Sequence, residues 1–293
     1  MIKHVFIVNV NANAKRTLNK VEEIQDICKS LDVNYEFFVT RSKEETMFIA
    51  KQFKDEFCVV YAVGGDGTVN TILNSIMGGQ AYLGVVPFGS GNDVFRSLKD
   101  EDKTITECNV MKVNDLYCLN IFSVGLDAEI CAAAEKAKKL GIPRNQIYEV
   151  GMLYTFFKHK NEPMFIDIDG VHFYDPRMSM VTVCNGRYYG NGYEIAPGAD
   201  ITSDNADVYM VAGLSKLTIP GFLKAVKNKD HEKHLTKATG RNVQVLTNEP
   251  VVANIDGEIV VDEEFNIDTA AGKINVVKND RVLSLVRRLG DKS

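Results

Sequence analysis

Several features that would take this chain away from ordinary globular chemistry are missing. No stretch of about 18 consecutive apolar residues occurs, the length a membrane-spanning helix needs. The early run at residues 4–10, HVFIVNV, is also too short for the core of a secretory signal. The six cysteines contain no C-x-x-C pair and lie far apart, so they read as free thiols of a reducing compartment. Basic charge is not in excess: 34 Lys and Arg against 39 Asp and Glu leave a net charge of −5. That balance argues against an extended nucleic-acid footprint. No internal repeat, low-complexity tract or Pro-rich linker interrupts the chain. These absences predict a cytoplasmic protein without a nucleic-acid partner, one that meets a membrane only peripherally, from its inner face. They leave room for a polyanionic cofactor, because backbone N–H groups and metal ions can hold phosphates.

What is present suggests about two domains in 293 residues. Over residues 1–120, short apolar runs alternate with helical spacing. Strand candidates lie at 4–10, 34–39, 57–63 and 82–86, with helical apolar sets such as Val21, Ile24, Ile27, Cys28 and Leu31 between them. Continuous apolar strands separated by helices predict an α/β fold, a doubly wound parallel sheet. After Asn120 the pattern changes. Two helices are predicted at 126–140 and 146–158. Short strands follow at 164–168, 178–184, 208–212, 242–246, 251–255 and 273–277, with turns between them. This predicts a second domain, an antiparallel β-sandwich over 121–278. The tail, 279–293, reads as a helix expected to pack back on the first domain.

The chemistry concentrates in glycine-rich turns. In residues 63–70, V-G-G-D-G-T-V-N, glycines sit where a buried strand ends and an amphipathic helix begins. Such a helix N-terminus offers unpaired N–H groups and a positive dipole end to phosphate. A plain tight turn with a helix cap would have the same local composition. A second turn, P-F-G-S-G-N-D at 87–93, follows the next strand, which places Asp66 and Asp93 near one crevice at the carboxyl ends of neighbouring strands. Val94 stands where a G-x-G-x-x-G fingerprint needs its third glycine, and no G-x-x-x-x-G-K-[ST] occurs. His231 and His234, three apart in K-D-H-E-K-H, lack the partners of a zinc site and read as a solvated charged face. Lys158, His159 and Lys160 likewise read as a solvated helix end.

Taken in order, the motifs resemble the diacylglycerol kinase catalytic-domain superfamily, and within it the bacterial soluble lipid kinases. The residues that carry the resemblance are GGDGTVN at 64–70, GSGND at 89–93, NIFSVGLDA at 120–128, CNGRYYGNGYEIAPGA at 184–199 and NIDGE at 254–258. The GGDGT segment alone is shared with NAD kinases and phosphofructokinases; the ordered set is what resembles lipid kinases.

The resemblance implies an ATP- and Mg2+-dependent kinase that transfers the γ-phosphate to a lipid hydroxyl, with diacylglycerol, giving phosphatidic acid, as the first expectation. Phosphate contacts are implied for Gly64, Gly65, Asp66, Gly67, Thr68, Val69, Asn70 and Ser90, and a nucleotide contact for Thr40. Asn9 opens NVNAN at the end of the first strand, where Val10 and Asn13 replace the family's Pro and Gly. Thr71 stands where most relatives carry Glu. Glu258 is the implied general base, with Asp256 beside it, while Asp66 and Asp93 position metal and phosphates. A Mg2+ site is implied at Asp204 with the backbone carbonyls of Ile201 and Ala206. Asn205 replaces the usual Gly there and tolerates left-handed geometry. Asp127 either faces the lipid hydroxyl or caps the helix after it. The expected partners are a lipid substrate and a peripheral membrane surface, and a homodimer is left open. Two other readings share these motifs in part: an NAD kinase-like enzyme, and a non-catalytic nucleotide- or lipid-binding protein on the same scaffold.

Overall fold

The computed structural model describes residues 2–10, 14–89, 91–98, 105–142, 147–190 and 192–277. Ser90 and the tail at 279–293 lie outside the described residues. The chain divides into two units, residues 1–109 with 272–293, and residues 110–271.

In the first unit strands and helices alternate: β1 (Lys3–Asn9), α1 (Ala14–Ser30), β2 (Tyr35–Thr40), α2 (Lys43–Gln52), β3 (Cys58–Gly64), α3 (Asp66–Ile76), β4 (Tyr82–Pro87), α4 (Asp93–Ser97) and β5 (Ile105–Val113), which runs on into the second unit. β1 pairs in parallel with β2 and β3, and β3 in parallel with β4. Every residue of β3 is buried, as a strand covered on both faces requires. The core gathers Phe6, Val8, Ile24, Val59, Tyr61 and Val86. Phe6 stacks on both Tyr61 and Phe37, with ring centroids 4.4 and 4.6 Å apart.

Two helix starts differ in a way that matters below. Ser42 caps α2: its side chain accepts the Glu45 N–H at 3.1 Å, and Glu45 reaches back to the Arg41 N–H at 2.8 Å. α3 begins on Gly65, which has no side chain to offer its first turn.

The second unit contains β6 (Leu116–Cys118), β7 (Ile121–Gly125), α5 (Leu126–Lys139), α6 (Ile147–Lys158), β8 (Glu162–Ile168), β9 (Val171–Cys184), β10 (Tyr188–Tyr189), β11 (Tyr193–Glu194), β12 (Ala206–Ala212), α7 (Ile219–Lys227), β13 (Thr236–Gly240), β14 (Asn242–Ile255) and β15 (Glu258–Val277). Its strands pair antiparallel in the order β13-β12-β9-β7-β14-β15, with β8 bonded to both β9 and β14. The core is built from Phe122, Val124, Ile166, Val181, Val208, Val245 and Phe265, among others. Residues 272–277 of β15 belong to the first unit, where Val276 and Val277 pair in parallel with β4.

Several expectations need correction. The runs at 242–246 and 251–255 belong to one strand, β14, whose register shifts between Leu246 and Val251. The run at 273–277 is only the end of the 20-residue β15. The acidic stretch Asp262–Glu264 hides that strand in the sequence, because it is solvent-exposed while Phe265 and Ile267 turn inward at period two. His231 and His159 are buried rather than solvated. His231 Nε2 lies 2.7 Å from the Ile195 carbonyl, and His159 Nδ1 lies 3.0 Å from Glu129 Oε2. No described helix is long and apolar enough to cross a membrane.

Candidate active site

β3 and β4 end in register, Gly64 beside Pro87, so the turns that follow them start side by side. The Phe88 N–H donates to the Gly64 carbonyl at 3.0 Å. The turns cross at Gly65 and Gly89, where a Cβ on Gly89 would run into Gly65 Cα. Asn92 holds the second turn: its Oδ1 accepts the Gly89 N–H at 2.9 Å and its Nδ2 donates to the Gly89 carbonyl at 3.0 Å. Asp66 joins the two turns by accepting the Val94 N–H at 3.2 Å. Burial pushes its carboxyl above the usual range, against the pull of that bond and its backbone neighbours.

Gly67 differs from its neighbours. It is exposed, and a Cβ there would meet nothing within 4 Å, so the protein's own packing does not require glycine. Thr68, Val69 and Asn70 pack inward on α3, while the Thr68 and Val69 N–H groups return to the Gly65 carbonyl at 2.9 and 3.2 Å. Asp93 is buried at the start of α4. Asn9 pairs in register with Thr40. The Thr40 hydroxyl is turned into the interior, 2.7 Å from Thr46 Oγ1 and 3.4 Å from the Val8 carbonyl.

In the second unit three segments far apart in sequence interlock. The Asn185 and Gly186 N–H groups donate to the Asn120 carbonyl, both at 2.9 Å, and Asn185 Nδ2 donates to the Leu119 carbonyl at 2.6 Å. Asp256 closes the arrangement. Its carboxylate accepts N–H groups from Leu119 at 2.6 Å, from Asn120 at 3.1 Å to either oxygen, and from Ile121 at 2.9 Å. Loss of hydration still raises its pKa, because burial outweighs those bonds. Asp256 and Gly257 adopt φ of 49° and 93°, the left-handed turn that delivers the chain to Glu258, the first residue of β15.

Asp127 sits at the second position of α5, where its Oδ1 accepts the Ala128 N–H at 2.9 Å. Desolvation pushes its carboxyl up to about 7, in opposition to hydrogen bonds from Ser123, Ala128 and Thr182. At residues 200–206, Ile201 and Ala206 are buried and Asp204 is exposed. Thr269 Oγ1 donates to the Asp204 carbonyl at 2.7 Å. Asn205 does not adopt positive φ, so the turn forms without the left-handed backbone expected there.

Residues 3–122 match the family model described as the diacylglycerol kinase catalytic domain, and residues 120–278 match the one described as the YegS C-terminal NAD kinase beta sandwich-like domain. The chain belongs to the diacylglycerol kinase-like family. It is a kinase of that family, with a C-terminal β-sandwich domain. The Bacillus subtilis diacylglycerol kinase is 26% identical over 223 residues, covering 69% of this chain and 72% of that protein. The Staphylococcus epidermidis protein SERP0390 is 24% identical over 279 residues, covering 87% of this chain and 88% of its own length. A Bacillus anthracis diacylglycerol kinase crystal structure shares the fold at a TM-score of 0.74 and 21% identity, over 96% of this chain and 98% of that one.

Within this diacylglycerol kinase-like chain, some residues that shape the site escaped the sequence reading. Asn92 could have been found: an Asn three residues after Gly89, before a short helix, is a local side-chain-to-backbone clamp. Ser123, Tyr189 and Asn254, which gather near Asp127, carry no comparable local signal. Among the described residues no cluster of three or more His, Cys, Asp or Glu forms a metal cage.

Proposed function

We propose that this kinase transfers the γ-phosphoryl group of ATP, with Mg2+, to the hydroxyl of a lipid alcohol, diacylglycerol first among them. Residues 1–120 would handle the nucleotide and residues 121–278 the acceptor. The observation that carries the reading is the uncapped start of α3 at the crossing of two glycine turns, with Gly67 opening onto free space. A helix N-terminus of this kind suits phosphate oxygens, and a side chain at Gly67 would occupy the space they need.

Oxygen donors suited to Mg2+ occur in two separate places: Asp204 with the carbonyls of Ile201 and Ala206 in the second unit, and Asp66 with Asp93 in the first, where an ion would arrive with the nucleotide. When bound, the ion supplies neutralisation of charge on the transferring phosphoryl group. The chain does the rest. The Gly64–Asn70 segment, in which the Thr68 and Val69 N–H groups stay with the Gly65 carbonyl, and Ser90 would line the phosphates, and Asn9 and Thr40 would border the nucleotide. Asp127 orients the acceptor hydroxyl. Glu258 takes the hydroxyl proton as the oxygen bonds to the γ-phosphorus and the bond to ADP breaks. Asp256 holds the turn that presents Glu258. Because such acceptors reside in bilayers, the reaction takes place at a membrane surface.

The test is direct. Purified protein, γ-labelled ATP and Mg2+ are incubated with mixed micelles of diacylglycerol, ceramide, a sphingoid base or monoacylglycerol. Labelled phosphatidic acid is the expected product, and absence of label from every lipid would overturn the reading.

A further inference from the structure

Beside Asp127 the second unit places more hydroxyl and amide groups than packing needs. Ser123 Oγ of β7 lies 3.1 Å from Tyr189 Oη, Cys131 Sγ of α5 lies 3.2 Å from the same oxygen, and Asn254 Nδ2 of β14 donates to it at 2.5 Å. The direction of the last bond is fixed. Asn254 Oδ1 accepts the Gly257 N–H at 2.7 Å, so the amide nitrogen is the end that faces Tyr189. Tyr189 Oη is therefore an acceptor toward Asn254 and keeps its own proton to donate to Ser123 or Cys131. Burial, with Cys131 and Asp127 nearby, pushes the phenol far above its ordinary range, so it remains a donor across working pH. Ser123 also acts on the Asp127 carboxyl, pulling against the desolvation that raises it, and the Thr182 hydroxyl donates to Asp127 Oδ2 at 3.4 Å.

With the Tyr189 proton given to Ser123, N–H and O–H groups run one way from Asn254 through Tyr189 and Ser123 toward Asp127. The opposite edge of Asn254 grips the turn that leads into Glu258. Hydrogen bonds aligned head to tail in a low dielectric strengthen one another. The Tyr189 ring already packs on Ile121, Cys184 and Ala196, a role that phenylalanine would serve equally well.

We propose that Tyr189 is a positioning residue, whose hydroxyl couples the Asp127 carboxylate to the Asn254–Glu258 turn. One network then sets both the group that faces the lipid hydroxyl and the base that takes its proton. The proposal rests on the roles given above to Asp127 and Glu258.

Tyr189→Phe keeps the ring and removes only the link. The first readout needs no turnover: the pH titration of the Asp127 side-chain carboxyl carbon by 13C NMR, assigned with Asp127→Asn. Losing the polarised Ser123 donor should move that ionisation upward by roughly half a pH unit or more. The second readout is kinetic. The kcat with lipid should fall about tenfold while the KM for ATP holds, since geometry rather than nucleotide binding is lost. The third is a double-mutant cycle, in which Tyr189→Phe adds little to Asn254→Ala because both break the same chain. Wild-type titration and turnover in Tyr189→Phe would overturn the proposal. So would a fall in kcat with the Asp127 titration unmoved and additive effects, or a moved titration with kcat intact. Should the wild-type protein label no lipid, the kinase reading falls, and the coupling is judged on the Asp127 titration alone.

Discussion

The glycine turns of the first unit and the Asp-Gly turn of the second are written in the same few residue types, yet they use them in opposite ways. At Gly64–Asn70 the chain withholds: Gly65 leaves the helix start without a side-chain cap, and among the described residues nothing comes within 4 Å of a Cβ at Gly67. At Asn254–Glu258 the chain spends its polar groups on itself. Asp256 is saturated by three backbone N–H donors, and Asn254 serves both Gly257 and Tyr189. An aspartate beside a glycine thus sits next to an open helix start in one unit and closes an internal anchor in the other. Both aspartates accept backbone N–H groups, so what separates the two turns is the open space beside Gly67, not residue type.

The sharpest way to break this contrast is within the second turn. Glu258→Gln should lower kcat about a thousandfold, the scale of a lost general base, with the circular dichroism spectrum unchanged. Its neighbour should behave differently: Asp256→Ala strands three buried N–H groups and should cost about 3 kcal/mol or more of stability in denaturant titrations. If Asp256→Ala instead folds as well as wild type and loses only activity, the anchor reading fails.

Asp127 offers a test by pH. Its folded pKa of about 7 lies above the ordinary aspartate value, so the folded state binds the proton more tightly. The stability it contributes is therefore complete below about pH 4 and is lost as pH rises through about 7. Between pH 5 and pH 8 this amounts to roughly 3 kcal/mol, and Asp127→Asn should remove that part of the slope measured by urea unfolding. The smallest effect belongs to the first turn. Gly67→Ala should leave stability unchanged or slightly raised, since alanine favours helix, while weakening binding of a non-hydrolysable ATP analogue about tenfold. Unchanged affinity, read by calorimetry, would return Gly67 to the status of an ordinary helix residue.

How much was legible follows from the range of the signals. The alternation of strands and helices over residues 3–87 and the two glycine turns are local patterns, readable within windows of about ten residues. The saturation of Asp256 depends on Leu119 to Ile121, more than 130 positions away, and no local pattern announces that pairing. Thr40 ends its strand as expected, but its hydroxyl faces Thr46, and that turn of a side chain is decided by packing rather than by position. The charged neighbours of His159 and His231 suggest solvent, while their ring partners, Glu129 and the Ile195 carbonyl, lie elsewhere in the sequence. Tyr189 and Asn254 stand in recognisable motifs, but their pairing across 65 positions is hidden for the same reason.

The bare start of α3 would also, under the proposed phosphate binding, tie the stability of this protein to its surroundings. α2 brings its own cap in Ser42 and Glu45, whereas Gly65 gives the start of α3 no side-chain cap. An anion that binds only the folded helix adds RT ln(1 + [L]/Kd), about 2.7 kcal/mol at a hundredfold excess over Kd. If α3 takes a phosphate as proposed, melting temperature doubles as a binding curve, and a phosphate-rich buffer and a phosphate-free one would appear to report two different proteins.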